Sequence, residues 1–148
     1  MNATDHEMQI LLVEDNPADA ELTMDALRDS RLVNRVQWVQ DGAEALDVLF
    51  GEGMVSAGAG HRLKLVLLDL RLPRVDGLEV LQAMRADART RHLPVVVLTS
   101  SREEIDLLRA YDRGANSYLV KPVDFSQFSE LLDLFGSYWL AWNKYPHV

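Results

Sequence analysis

Residues 65–80 read LVLLDLRLPRVDGLEV, and Asp69, which directly follows the apolar run 65–68, decides the interpretation of this stretch. The run predicts a strand that is buried on both faces. A buried carboxylate without a partner either costs several kcal/mol or takes up a proton. We therefore expect a partner group, a metal ion or solvent to meet Asp69 at the end of this strand.

Composition limits the classes of protein to which the chain can belong. Its 148 residues, 48% of them hydrophobic, are enough for one core and one domain. A net charge of -8, from 15 Lys and Arg against 23 Asp and Glu, disfavours nucleic acid and anionic membranes as partners. The chain has no cysteine and its four histidines are scattered, so we expect neither disulfides nor a zinc site. With no secretory signal and no membrane-length apolar run, the sequence predicts a soluble cytoplasmic protein.

Short apolar runs alternate with segments of helical spacing along the chain. The predicted strands are 10–13, 36–39, 65–68, 95–98 and 117–120. Aliphatic strands that alternate with helices are typical of a parallel sheet covered on both faces. Segment 51–62 is rich in small residues and is predicted to form a surface loop.

Several residues mark the ends of the predicted helices. Asn16 followed by Pro17 predicts the start of the first helix. Ser101 and Glu104 have the spacing of a capping box for the fourth helix, and Gly114 predicts its end.

Polar residues follow most of the predicted strands. They are Glu14, Asp15, Asp69, Thr99, Ser100 and Lys121. In an open parallel sheet the carboxyl ends of the strands meet at one edge, where ligands bind. Clustered carboxylates resist joint ionisation unless a cation lies among them, and carboxylates with water and phosphate are the usual ligands of Mg²⁺. The sequence therefore predicts a magnesium site at this edge.

The same residues carry a resemblance to a known family. The pair Glu14-Asp15, the stretch DLRLPRVDG from Asp69, Thr99-Ser100 and Lys121-Pro122 resemble the receiver domain of two-component response regulators, over residues 9–135. The resemblance implies a flavodoxin-like (βα)5 fold, a doubly wound parallel sheet with strand order 2-1-3-4-5. It implies a single receiver domain over 1–148, with a C-terminal helical extension at about 136–143. The opening LLVEDNPADAELT and the C-terminal sequence are similar to single-domain regulators paired with bacterial phytochromes.

In this family the aspartate corresponding to Asp69 takes a phosphoryl group from a phosphohistidine of a sensor histidine kinase. The resemblance to regulators paired with phytochromes makes a phytochrome the candidate kinase here. The resemblance implies that Asp15 binds Mg²⁺ directly, Glu14 binds it through water, and the backbone carbonyl of Arg71 supplies a further oxygen. Lys121 and the metal stabilise the phosphoryl oxygens.

Two further residues have roles implied by the resemblance. Thr99 matches the switch hydroxyl that bonds the phosphoryl group, and Tyr118 matches the aromatic residue that then turns inward. Lys121-Pro122 resembles a cis peptide of the family. The resemblance implies a phosphoacceptor signalling protein rather than an enzyme. Such a protein assists its own phosphotransfer and dephosphorylation. We expect it to signal through protein contacts, without a DNA-binding output domain.

Two rival functions are weighed against this one. A phosphatase of the haloacid dehalogenase type requires a second aspartate two residues after the nucleophile, where this chain has Arg71. A receiver-like module that binds without being phosphorylated is the other rival.

The apolar residues of the fifth helix and its extension predict a homodimer. They spread over an arc of about 180°, whereas packing on one core requires a stripe of about 100°. The predicted interface on helix 4, strand 5 and helix 5 includes Leu107, Tyr111, Leu131, Phe135, Tyr138 and Trp142. The alternatives are that Trp139 and Trp142 fold back over their own domain, or that this segment contacts the kinase.

Overall fold

A five-stranded parallel sheet forms the centre of the computed structural model, which describes residues 8–29, 33–51 and 63–145. The strands are β1 (Met8–Val13), β2 (Val33–Val39), β3 (Leu63–Leu68), β4 (Val95–Thr99) and β5 (Ser117–Val120). Their order is β2-β1-β3-β4-β5, and every neighbouring pair is parallel. The predicted fold and strand order are therefore confirmed. Residues 52–62, most of the predicted surface loop, lie outside the described residues.

Helices cover both faces of the sheet. They are α1 (Pro17–Asp29), α2 (Gly42–Phe50), α3 (Gly77–Ala86), α4 (Glu104–Asp112) and α5 (Phe125–Gly136). A π-helical segment, Ser137–Trp142, continues α5 at the position of the expected helical extension. No helix within the described ranges is long and apolar enough to cross a membrane.

The core consists of two apolar layers, one on each face of the sheet. Side chains of α2, α3 and α4, such as Leu49, Met84 and Ala110, pack on one face. Those of α1 and α5, such as Leu27 and Phe128, pack on the other. β3 lies between the two layers and is fully buried from Leu65 to Leu68, as its continuous apolar run predicts. Its carboxyl end, where Asp69 follows, lies next to the point at which the strand order reverses between β1 and β3.

The predicted helix ends agree with the structure at α1 and at the end of α4. Asn16 Oδ1 accepts hydrogen bonds from the backbone N–H groups of Ala18 and Asp19, at 2.9 and 3.1 Å. Gly114 follows α4 with a φ of +97°, a conformation that glycine adopts without strain.

Two local predictions are wrong. α4 begins at Glu104, so Ser101 lies too far upstream to cap it, and the hydroxyl of Ser101 instead donates to Asp106 at 2.6 Å. The described residues contain no cis peptide bond, so the bond before Pro122 is trans. The trans form is the default because it is favoured even in X-Pro bonds, by about 0.5–1 kcal/mol.

Candidate functional site

Three acidic side chains meet at the carboxyl ends of β1 and β3. Glu14 and Asp15 follow β1, Asp69 follows β3, and one carboxylate oxygen from each lies within 4.8 Å of the other two. Glu14 and Asp69 are buried, with 1% and 5% of their surface exposed, whereas Asp15 is exposed. The structure thus brings together three of the predicted metal ligands.

Backbone contacts with neighbouring strands hold the acidic pair in place. The N–H of Glu14 donates to the carbonyl of Val39, at 3.0 Å. The indole N–H of Trp38 donates to the Glu14 carbonyl, at 2.8 Å, and the Asn16 N–H donates to Glu14 Oε2, at 3.1 Å. Contacts from β2 and from the start of α1 therefore fix the Glu14 backbone and side chain.

Asp69 is positioned by β1 and by a close approach of α3. Its N–H donates to the Val13 carbonyl, at 3.0 Å, and its Oδ1 accepts the N–H of Arg71, at 3.3 Å. A Cβ added to Gly77 would lie 2.2 Å from the carbonyl oxygen of Asp69. Only glycine therefore allows the first turn of α3 to pack so closely against the end of β3. The Arg71 N–H lies beside the Asp69 carboxylate, and the role of the Arg71 carbonyl as a metal ligand stays a prediction.

Lys121 crosses from β5 to the acidic cluster. Its N–H donates to the Thr99 carbonyl, at 2.8 Å, which fixes its backbone beside β4. Its ammonium lies 2.5 Å from Glu14 Oε1, 3.0 Å from Asp19 Oδ2 and 3.1 Å from Asp69 Oδ2. Asp19 was not predicted as a site residue. The sequence signal that could have indicated Asp19 is its place in the first turn of α1, because that helix begins at this edge of the sheet.

The electrostatics of the cluster favour a cation. Burial raises the pKa of Glu14 to about 7, although Lys121 opposes this effect. Burial also lowers the pKa of Lys121, but the charges of Asp69 and Glu14 outweigh it, so the pKa is raised overall. Three carboxylates, those of Glu14, Asp19 and Asp69, therefore share one ammonium, and Asp15 lies beside them. This excess of hard oxygen donors fits Mg²⁺.

The two predicted switch residues meet at the loop between β4 and α4. Thr99 is buried at 0% exposure, and its Oγ1 accepts the N–H of Ser101, at 3.3 Å. The hydroxyl of Tyr118 donates to the Ser101 carbonyl, at 3.1 Å, and burial raises the pKa of this phenol. Both side chains thus contact the backbone of the same residue.

A second ionic group, which the sequence analysis missed, joins this loop to Arg71, two residues after Asp69. Arg71 extends its guanidinium to Asp106 Oδ2, at 2.7 Å, and to Glu103 Oε2, at 3.4 Å. The Ser101 hydroxyl donates to the same Asp106 oxygen, at 2.6 Å. These bonds hold the pKa of Asp106 below its ordinary value, chiefly through Ser101 and then through Arg71. The segment after Asp69 is therefore tied to α4.

The residues of the predicted dimer interface differ in exposure. Tyr111, Tyr138 and Trp142 are 50%, 54% and 76% exposed. Leu107 and Leu131 are half-buried. Phe135 is 4% exposed and faces the sheet together with Phe128 and Leu132, so it belongs to the core of its own chain. Phe135 is therefore removed from the predicted dimer interface. Trp139 packs on the same core layer, whereas Trp142 is largely exposed. The alternative in which the tryptophans fold back over their own domain is therefore correct for Trp139 and wrong for Trp142.

Comparison with known families matches residues 10–133 to the response regulator receiver domain. The chain belongs to this family. Receiver domains are signalling proteins, and the matched residues include Asp69, the acidic pair and Lys121.

Individual relatives resemble nearly the whole chain. A probable methanogenesis regulatory protein, FilR2 of Methanothrix harundinacea, is 46% identical over 93% of this chain and 86% of its own length. The phosphorylated cyanobacterial phytochrome response regulator RcpA superposes with a TM-score of 0.87 at 38% identity, over 95% of this chain and 99% of its own. The bacteriophytochrome response regulator AtBRR is 50% identical, with a TM-score of 0.68, over 93% and 99% of the two chains.

Divalent metals are present in solved relatives. Response regulator Rcp1 of Synechocystis, in its Mn²⁺-bound form, superposes with a TM-score of 0.84 at 33% identity, over 94% of this chain and 99% of its own. This chain has an acidic cluster of its own, formed by Glu14, Asp15 and Asp69.

Proposed function

We propose that this protein accepts a phosphoryl group on Asp69 from a phosphohistidine of a sensor histidine kinase, and that it signals through contacts with other proteins. The observation that carries this proposal is the position of the Asp69 carboxylate. One of its oxygens faces the Lys121 ammonium, at 3.1 Å, and the group lies within 4.8 Å of the Glu14 and Asp15 carboxylates.

The chemistry is a transfer from nitrogen to oxygen. An oxygen of Asp69 forms a bond to phosphorus while the bond between phosphorus and the histidine nitrogen breaks, and the imidazole leaves with the electron pair. Lys121 stabilises the phosphoryl oxygens by charge. Glu14, Asp15, Asp69 and the Arg71 carbonyl would hold Mg²⁺, which neutralises the negative charge of these acids and of the incoming phosphoryl group.

The partner that we propose is a kinase of the phytochrome class. The support is the similarity to RcpA and AtBRR, which are phytochrome response regulators, over nearly the whole chain. FilR2, a methanogenesis regulatory protein, is similar at a comparable level. The chain also covers 92% of the length of the response regulator Rcp1. A homodimer formed by α4, β5 and the C-terminal helical segment is part of the proposal, and a cytoplasmic location suits it.

A direct test is phosphorylation by a small donor. We expect incubation with acetyl phosphate and Mg²⁺ to add the mass of one phosphoryl group to the wild-type chain. We expect none on Asp69→Asn. The exposed carboxylate of Asp112 offers a matched control, and Asp112→Asn should react like the wild type.

The same experiment separates the two rival functions. A chain that never gains mass, with wild type and Asp69→Asn alike, is a binding module and contradicts the proposal. Rapid repeated turnover of phosphate monoesters would instead indicate a phosphatase.

A further inference from the structure

The ammonium of Lys121 has one more carboxylate partner than the proposed phosphotransfer uses. Glu14 and Asp69 belong to the acidic cluster at the metal site, whereas Asp19 belongs to α1 and is not among the three clustered acids. Asp19 Oδ2 nevertheless lies 3.0 Å from Lys121 Nζ. This contact joins residues 102 positions apart in the chain.

An ammonium has three N–H donors, and here three carboxylates take them. Lys121 can therefore bond a phosphoryl oxygen on Asp69 only by giving up one of these partners. Phosphorylation turns Asp69 into an acyl phosphate, so its charge passes to the phosphoryl oxygens, and the ammonium must move toward them and away from Glu14 or Asp19. The side chain of Glu14 is only 2% exposed. Leaving a buried carboxylate without its cation is costly. The Asp19 side chain is 29% exposed, so water can hydrate it after release.

We propose that Asp19 is a positioning residue that holds Lys121 in the unphosphorylated protein and releases it to the phosphoryl oxygen. Asp19 thereby competes with the phosphoryl group for Lys121 and sets how tightly the site holds that group. The inference rests on the proposed phosphoacceptor role of Asp69 and adds a residue to it.

The test measures the affinity for beryllofluoride, an analogue of the phosphoryl group, at saturating Mg²⁺. Asp19→Asn keeps the shape of the side chain, but its neutral amide competes less strongly than a carboxylate for the Lys121 ammonium. Glu21→Gln is the matched control, because Glu21 is exposed on the same helix and its substitution removes the same charge. We expect Asp19→Asn to bind beryllofluoride about fivefold more tightly than Glu21→Gln, since a bond to a charged acceptor is stronger than one to a neutral acceptor. Trp38 fluorescence reports binding, because its indole bonds the Glu14 carbonyl.

Three results would overturn the inference. One is equal beryllofluoride affinity in the two variants, and another is weaker binding by Asp19→Asn. The third is a loss of Mg²⁺ affinity, measured without beryllofluoride, that is specific to Asp19→Asn, since Asp19 would then belong to the metal site. Equal Mg²⁺ affinity in the two variants supports the inference. If the wild-type protein binds Mg²⁺ but no beryllofluoride, the proposed phosphoacceptor function itself is contradicted. The proposed release of Lys121 by Asp19 is then contradicted as well.

Discussion

At the scale of single residues, Arg74 has a conformation that its side chain does not favour. Its φ is +67°, in the left-handed region, five positions after Asp69. A residue other than glycine in this region costs of the order of 1–3 kcal/mol, least for Asn and most for β-branched residues. The surroundings hold it there: Arg74 reaches Asp41 at 3.4 Å, and the Val75 N–H donates to the Pro73 carbonyl at 2.8 Å.

Two substitutions of Arg74 measure this strain. Arg74→Asn and Arg74→Val both lose the contact with Asp41, so they differ mainly in their tolerance of a positive φ. We expect the free energy of unfolding of Arg74→Val to be about 1–2 kcal/mol lower than that of Arg74→Asn, in urea denaturation. Equal stability of the two variants would mean that the residue does not keep this conformation in solution.

Asp15 is the exposed member of the acidic cluster, and its substitution tests the metal assignment. We expect Asp15→Asn to weaken Mg²⁺ binding by about tenfold or more. The loss of a metal ligand should lower the affinity at least as much as the loss of a residue that supports a ligand. Titration with Mg²⁺, followed by Trp38 fluorescence, measures the affinity. Asp25→Asn, an exposed acid of α1, is the control and should bind Mg²⁺ like the wild type. Wild-type affinity in Asp15→Asn would remove Asp15 from the metal site.

At the scale of secondary structure, the start of α4 is tied to the segment after Asp69. Asp106 accepts hydrogen bonds from Ser101 and Arg71, and its side chain is 11% exposed. We expect Asp106→Asn to lower the free energy of unfolding by about 1–3 kcal/mol, since a neutral amide replaces the charged acceptor that Ser101 and Arg71 share. Glu103→Gln removes a more exposed partner of Arg71 and should change stability by less than about 1 kcal/mol. Chemical denaturation of both variants checks the difference, and equal losses would contradict it.

The sequence predicted elements better than the contacts between them. The apolar runs and the pair Asn16-Pro17 predict strands and a helix start because both signals are local. The predicted capping box at Ser101 is wrong because its hydroxyl has a stronger partner in the network with Arg71, 30 positions earlier in the chain. Asp19 was missed for the same reason, since its partner Lys121 is brought to it only by the folded sheet.

The π-helical segment after α5 is held by Tyr145. Its hydroxyl donates to the Trp139 carbonyl, at 2.5 Å, and burial raises its pKa from 10.0 to about 12. Folding thus favours the neutral phenol, so the stability that it contributes is complete below pH 10 and is lost as the pH rises through 12. We expect an absorbance titration at alkaline pH to show a phenol that ionises near 12 and is missing in Tyr145→Phe. Tyr138→Phe, the control, should retain this step, and its persistence in Tyr145→Phe would contradict the assignment.

At the scale of the whole molecule, the apolar surface and the net charge oppose each other in self-association. Leu134, Tyr138 and Trp142 follow one another at intervals of four along the C-terminal helical segment and are 65%, 54% and 76% exposed. A row of large exposed apolar side chains favours an interface. The net charge of -8 makes two copies repel each other at low salt. The proposed dimer should therefore become tighter as added salt screens this repulsion.

Sedimentation velocity across micromolar concentrations, with and without beryllofluoride and Mg²⁺, tests this dimer. If the phosphorylated state fits the dimer better, the analogue must strengthen association, because linkage is reciprocal. We expect Trp142→Ala to weaken association by about tenfold, the effect of a central aromatic residue at an interface. Val123→Ala removes an apolar side chain that is 98% exposed outside the helical segment, and should leave association unchanged. A protein that stays monomeric in every condition would contradict the dimer and leave the row of exposed side chains as a surface for the kinase.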